Sequence, residues 1–253
     1  MQDTVKPAGK EPSQKSLTER LVAALQQEEY TLYAQTITPV VKDSEPRPFQ
    51  EIFVRFKEED ENLLPPGSFL LTLAECDLLP YLDRWVINRL ARWVRAALRI
   101  KPDWEVPSSN VNLSVQTLID PEFPQYVHQY VNDSFLSGGA LGFEISWNDA
   151  VAHGEAIRRL MSELRPYGCH FTFSDFDGSE QSFETLKTFE PDFVKLSSTS
   201  VDPTKVAEIN RKCHASRCKT IVEHVESGRV LEHLRQVSVD FVQGLGVSPV
   251  QAL

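Results

Sequence analysis

The sequence predicts an α/β fold, a TIM-like (β/α)8 barrel whose first strand pair is antiparallel, and three observations carry that expectation. Eight short apolar runs read as strands, at 31–37, 49–56, 109–114, 141–146, 169–174, 192–196, 219–223 and 239–243. Between most of them the apolar residues change to helical spacing, the mark of strands joined by crossover helices. The first two runs are separated only by a short link containing Pro-Arg-Pro at 46–48. A link that short holds no helix, so those two strands pair antiparallel.

Along the chain, residues 1–16 mix Lys, Pro, Gln and Glu without an apolar stretch and read as a flexible leader or linker, with the barrel domain over 17–253. The run 31–37 (TLYAQTI) and the run 49–56 (FQEIFVRF) open the sheet. Helix 80–99 then carries Leu82, Val86, Leu90, Trp93, Val94 and Ala97 on one face, with Trp85 and Trp93 two turns apart as packing or dimer-contact aromatics. Segments 150–165, 203–214 and 226–236 repeat that spacing and fall between later strands.

Composition removes several functions. The formal charge of −10 opposes binding to DNA or RNA, whose affinity comes mainly from Lys and Arg on phosphates. No apolar run reaches the roughly 18 residues of a membrane span, and no signal-peptide core is present, so the expected location is the cytoplasm. Cys76, Cys169, Cys213 and Cys218 are sparse and lack a disulfide framework; Cys213, His214 and Cys218 fall one ligand short of a tetrahedral zinc set.

In barrels of this kind the working residues stand at the carboxyl ends of the strands. Those positions hold Glu51 and Arg55, Asn112, Glu144, Asp175, Lys195, Glu223 and Glu226, and Gln243. Carboxylates, an amide and a lysine on one face suit an oxygen-ligand site for Mg²⁺, Mn²⁺ or Ca²⁺ and a phosphate-bearing ligand. The plainer reading is a wet barrel mouth whose polar groups only satisfy strand ends. It weakens because six strand ends coincide.

EIFVR (51–55), VNLS (111–114), FEIS (143–146), SDF (174–176), VKL (194–196), VEHVE (222–226) and VQG (242–244) stand in the order of the EAL domain motifs, and the chain resembles that family from about residue 17 to 250. The resemblance implies cyclic di-GMP as ligand and two Mg²⁺ or Mn²⁺ ions that activate water to give linear pGpG. It implies metal ligation by Glu51, Asn112, Glu144 and Asp175, catalytic roles for Glu223 and Lys195, and ligand contacts from Gln35, Glu51, Phe53, Arg55, Asp175, Glu223 and Gln243. LYAQTITPV (32–40) and LLPPGSFLLTLAECDLLPYLDRWVI (63–87) resemble the first strand and the long helical link.

The chain also departs from the family pattern. Ser174 stands where the family has a metal-binding Asp, Trp147 where a Glu anchors the neighbouring loop, Ser197 for an Asp, Phe53 for Leu and His224 for Gly. The losses fall on the parts that gather metals, whereas Arg55, Lys195, Glu223 and Gln243 remain. The expectation is a degenerate member that binds cyclic di-GMP as a receptor with little or no hydrolysis, with weak Mg²⁺ or Mn²⁺ at most. Two alternatives stand beside it. One is a residual phosphodiesterase in which Asp177 lends its carboxylate. The other is a ligand-free protein-interaction module, with Phe53 and Trp147 filling the pocket or, in the rival view, stacking guanine. A protein partner in a signalling pathway and a homodimer complete the expected partners.

Overall fold

The computed structural model describes residues 14–27, 29–41, 47–57, 63–64, 67, 69–133, 136, 139–197 and 203–253. The expected leader lies outside these up to residue 13, and a first helix α1 (Gln14–Gln26) begins inside its last three positions. Strand β1 (Tyr30–Thr36) and strand β2 (Thr38–Pro39) flank the single residue Ile37. Strand β3 (Phe49–Lys57) pairs antiparallel with β1, placing Gln35 opposite Glu51, and carries the short β4 (Leu63–Leu64) on its far end. The parallel strands β5 (Ser108–Asn112), β6 (Leu141–Ser146), β7 (His170–Ser174), β8 (Phe193–Ser197), β9 (Lys219–Glu223) and β10 (Phe241–Val242) follow in spatial order. Because β2 pairs with β10 while β1 pairs with β3, the sheet curls back on its own first strand. The strand β11 (Gln251–Ala252) adds to the outer side of β1. All eight expected strands are present, and the first pair is antiparallel as the short link requires.

The helices α2 (Leu70–Glu75) and α3 (Leu79–Ile100) lead from the antiparallel pair into β5. On α3, Leu82, Val86, Leu90 and Val94 of the expected face are buried together with Ile87 and Ala91, while Trp93 and Ala97 are half-buried at its edge. Trp93 is only half-buried and meets Trp104 edge-on at 5.1 Å, while Trp85 packs on Tyr30 at 5.8 Å. Both tryptophans therefore have partners within the chain.

Helices α4 (Val115–Ile119), α5 (Phe123–Asp133), α6 (Trp147–Ala152), α7 (Gly154–Leu164), α8 (Glu180–Phe189), α9 (Pro203–Ala215) and α10 (Gly228–Gln236) cover the sheet. The single helix expected over 150–165 is two, broken at His153, whose φ of −121° and ψ of 33° leave the helical region. Four helices start on a serine whose hydroxyl accepts from the backbone three residues on: Ser114, Ser146, Ser179 and Ser227. A serine cap of this kind is worth about 1 kcal/mol and fixes where the strand-to-helix turn ends. Unforeseen α8 carries this signal openly, with Ser179 ahead of buried Phe183 and Leu186.

The barrel interior is layered. Phe49, Phe193 and Phe241 meet in pairs at 5.1–5.7 Å near the amino ends of the strands, with Ile37 and Ile221 beside them. Next to this plug His170 Nε2 lies 2.8 Å from Asn110 Oδ1, and Asn110 Nδ2 donates to Thr172 at 2.8 Å. Gly142 makes room for this network, since a Cβ there would stand 2.0 Å from His170 Nε2 and 2.5 Å from Asn110 Oδ1. Gly142→Ala is therefore expected to cost about 1–3 kcal/mol through overpacking, read as a lower denaturant midpoint with an unchanged slope.

Cys213 and Cys218 are buried in the core, and burial pushes the Cys213 thiol up to about 12, as suits structural cysteines. Among the described residues no helix is long and apolar enough to cross a membrane.

Candidate functional site

Above the aromatic plug, the strand ends bring a charged cluster together. Lys195, from β8, has no exposed surface, and its Nζ lies 2.6 Å from Glu51 Oε2 of β3 and 2.6 Å from Glu144 Oε2 of β6. The contact with Glu51 is an aligned hydrogen bond, whereas the approach to Glu144 is an ion pair without hydrogen-bond alignment. Glu223 of β9 stands 4.0 Å from the same nitrogen. Asn112 Nδ2 donates to Glu51 Oε1 at 2.8 Å, and Gln243 Nε2 donates to Glu51 Oε2 at 2.8 Å. Gln35 closes the ring, accepting from Gln243 at 3.3 Å and donating to the Ser248 carbonyl at 2.9 Å.

Alternation explains this convergence, because side chains two apart share a face of a strand. Residues 49, 51 on β3, 193, 195 on β8 and 241, 243 at β10 place an aromatic in the plug and a polar group in the layer above.

The charges set the protonation. Burial alone would raise Glu51, but the Lys195 charge and hydrogen bonds from Lys195, Asn112 and Gln243 overcome it and hold the carboxyl low. Burial and the neighbouring Glu51 charge push Glu144 up to about 8, with Lys195 offsetting only part. Burial opposes the charge on Lys195, yet Glu144, Glu51 and Glu223 together raise its pKa. Glu223 is raised by burial and by Glu51 and Asp175, against Lys195 and His224.

Of the residues expected in the site, Gln35, Glu51, Asn112, Glu144, Lys195, Glu223 and Gln243 meet directly. Asp175 is exposed just beyond β7, near enough for its charge to reach Glu223. Arg55 and Phe53 lie further along β3, with the guanidinium 5.7 Å over the Phe53 ring and 5.9 Å over Tyr33. Glu226 is exposed and outside the cluster. A cleft of about 380 Å³ between β3, β5 and helices α2 and α3 joins Phe53, Leu79 and Leu82 to Glu51 and Asn112.

One expectation is corrected. Trp147 neither fills the mouth nor offers a guanine platform. It is buried against Phe176 at 4.9 Å and Phe173 at 5.9 Å, because as the first residue of α6 it turns into the core. Asp177 is likewise engaged, accepting from Ser179 N at 2.9 Å and from Ser182 Oγ at 2.5 Å at the start of α8.

Asp83 was missed by sequence reasoning. Buried on α3, it accepts from Ser114 N at 2.9 Å, Ser114 Oγ at 2.7 Å and Thr117 Oγ1 at 2.6 Å, tying the end of β5 to α3. A lone acid inside an apolar stripe is the signal that could have found it.

For a dication the donors in question are Glu51, Asn112, Glu144 and Asp175, all oxygen donors of the kind Mg²⁺ and Mn²⁺ prefer. Their arrangement is that of an internally compensated ion cluster, with an ammonium group among the carboxylates and the hydroxyl of Ser174 at the end of β7. Among the described residues no three His, Cys, Asp or Glu side chains group to hold a metal ion.

Acids, amides and one enclosed lysine thus stand at the carboxyl ends of the strands of an α/β barrel, the end at which such barrels carry their sites. The chain belongs to the EAL domain family, whose model matches residues 18–250. It is 28% identical over 251 residues to the cyclic di-GMP phosphodiesterase PdeF of Escherichia coli, covering 94% of this chain and 32% of that protein. To the cyclic di-GMP phosphodiesterase PdeB of Shewanella oneidensis it is 23% identical, covering 92% of this chain and 28% of the relative. The chain thus spans about a third of the length of these curated relatives. In structure it resembles the FimX EAL domain of Pseudomonas aeruginosa bound to c-di-GMP, with TM-score 0.82, 24% identity and coverage of 93% of this chain and 96% of the other.

Proposed function

We propose that this chain is a cyclic di-GMP receptor that hydrolyses the dinucleotide little or not at all. The observation that carries the second half is Ser174. It ends β7 in register with Ser146 on β6, and it puts a neutral hydroxyl at the strand end where the family pattern has a carboxylate for its two-metal chemistry. In the loop beyond it, Asp177 is engaged at the start of α8, which counts against its lending a carboxylate to a metal.

The first half draws on the relatives, which are cyclic di-GMP phosphodiesterases by name, and on the FimX domain seen with c-di-GMP. The local chemistry agrees with it. Arg55 presents a guanidinium for phosphate, Phe53 an aromatic face, and the cleft beside Glu51 an apolar wall with polar groups at its edge. A receptor passes its signal to a protein partner, and this reading places both in the cytoplasm.

The test is isothermal titration with cyclic di-GMP, once with EDTA and once with Ca²⁺, followed by chromatography of the nucleotide. Heat of binding in EDTA and intact dinucleotide after incubation with Mg²⁺ or Mn²⁺ are expected. Steady production of pGpG that disappears in Glu51→Ala would make the chain a phosphodiesterase. Absence of heat under both conditions would leave the interaction module.

A further inference from the structure

Two residues at the mouth that are not glycine adopt a left-handed backbone, Asp175 and His224, each with φ of 58°. Such a conformation is unfavourable for a residue with a side chain and persists where its surroundings enforce it. Around His224 the enforcement is visible. Val225 N donates to the Gln243 carbonyl at 2.9 Å, and Gly246 N donates to the Val225 carbonyl at 2.8 Å. A Cβ at Gly244 would stand 2.3 Å from Val225 N, and one at Gly246 would stand 2.5 Å from the Glu226 carbonyl carbon. The segment after β9 is thus pressed against the segment after β10, which holds the backbone of His224 in place.

The side chain continues a line of charge out of the barrel. Lys195 has no exposed surface, the Glu223 side chain is 17% exposed at 4.0 Å, and the His224 side chain is 61% exposed with Nδ1 at 3.7 Å from Glu223 Oε1. Glu51, Glu144, Glu223 and Asp175 bring four carboxyl groups to a mouth that encloses one lysine. A phosphodiester approaching that mouth without a metal needs donors at the rim, and the exposed imidazole stands there beside Glu223.

We propose that His224 contacts the ligand, its imidazole N–H donating to a phosphodiester oxygen of the bound dinucleotide. This rests on the receptor reading above. It makes His224 and Arg55 the rim donors for the phosphates, with Glu223 orienting the ring. A hydrogen bond to a charged oxygen is worth about 1.5–3 kcal/mol, so its loss is expected to weaken binding about tenfold or more.

The experiment compares the full chain with His224→Gly and His224→Asn by titration with cyclic di-GMP in EDTA at one pH, alongside thermal melts. Glycine takes the left-handed backbone without strain, so H224G should melt at the same or a higher temperature while binding about tenfold more weakly or worse. H224N keeps an N–H donor and tolerates the same φ, and should lose less. Addition of ligand to the wild-type chain should shift the His224 imidazole resonances in a ¹H–¹⁵N spectrum. Wild-type binding with H224G within twofold of it overturns this inference alone. No wild-type binding in EDTA or Ca²⁺ overturns the receptor reading and this inference with it.

Discussion

Lys195→Met is expected to lower stability by about 3–5 kcal/mol, because it strands buried carboxylates without their counter-charge. For a chain of this size that corresponds to a fall in Tm on the order of 10 °C. Lys195 is fully enclosed, and both Glu51 and Glu144 point at its nitrogen from 2.6 Å. Removal leaves Glu51 with only the amide donors of Asn112 and Gln243. The companion variant isolates the cause. Glu144 is already held up to about 8 by burial and by Glu51, so Glu144→Gln imitates its protonated form and should cost little at neutral pH. Combined with Lys195→Met it should leave the loss nearly unchanged at neutral pH, which assigns that loss to the stranded Glu51 carboxylate. A Lys195→Met protein that melts within a degree or two of wild type would show that the ammonium is not the counter-ion of this cluster.

Acid sensitivity is expected from His170 at the opposite end of the barrel. Burial holds this imidazole down to about 4, with the Arg47 charge adding to the effect. The folded chain therefore favours the neutral ring, while the unfolded chain takes up a proton near pH 6.5. Stability from His170 is complete above pH 6.5 and is lost as pH falls through 6.5 toward 4, by up to about 3 kcal/mol. Glu144 works in the opposite direction over part of that range, since its raised pKa makes the folded state keep a proton that the unfolded state gives up. The His170 contribution is thus read as a difference, by urea unfolding of wild type and His170→Gln from pH 8 to pH 4. Wild type should lose stability relative to His170→Gln across the window from 6.5 to 4. Parallel curves would refute the assignment. The lowered Asp120 and Asp177 act below that window, near the carboxylate range, and do not imitate the result.

The strands were legible because their signals are local. A period-two run of five to nine residues, a serine cap and a link too short for a helix are each read from neighbours in the chain, and the order of strands followed from them. The polar strand-end residues were legible for the same reason, and six of them meet, joined by Gln35, which only the family resemblance pointed to. Less of the helical layer could be read. The short α4 and α6 carry too few apolar positions to show a period, and the break at His153 is a backbone feature without proline or glycine at that residue.

The sequence by itself determined the family, the eight strands with their antiparallel first pair, and the chemical character of the mouth, including the serine at 174. These depend on residue type and on spacing within one element. Only the tertiary structure decided that Lys195 is enclosed by Glu51 and Glu144, that Trp147 turns into the core and that Asp177 serves α8. It alone placed His224 at the rim. Lys195 and Glu51 are 144 residues apart, and their meeting depends on how every intervening strand registers with the next around the curled sheet. Where a side chain at a strand end turns is settled by which neighbouring element fills the space beside it, and that information lies in packing between distant segments rather than in any one of them.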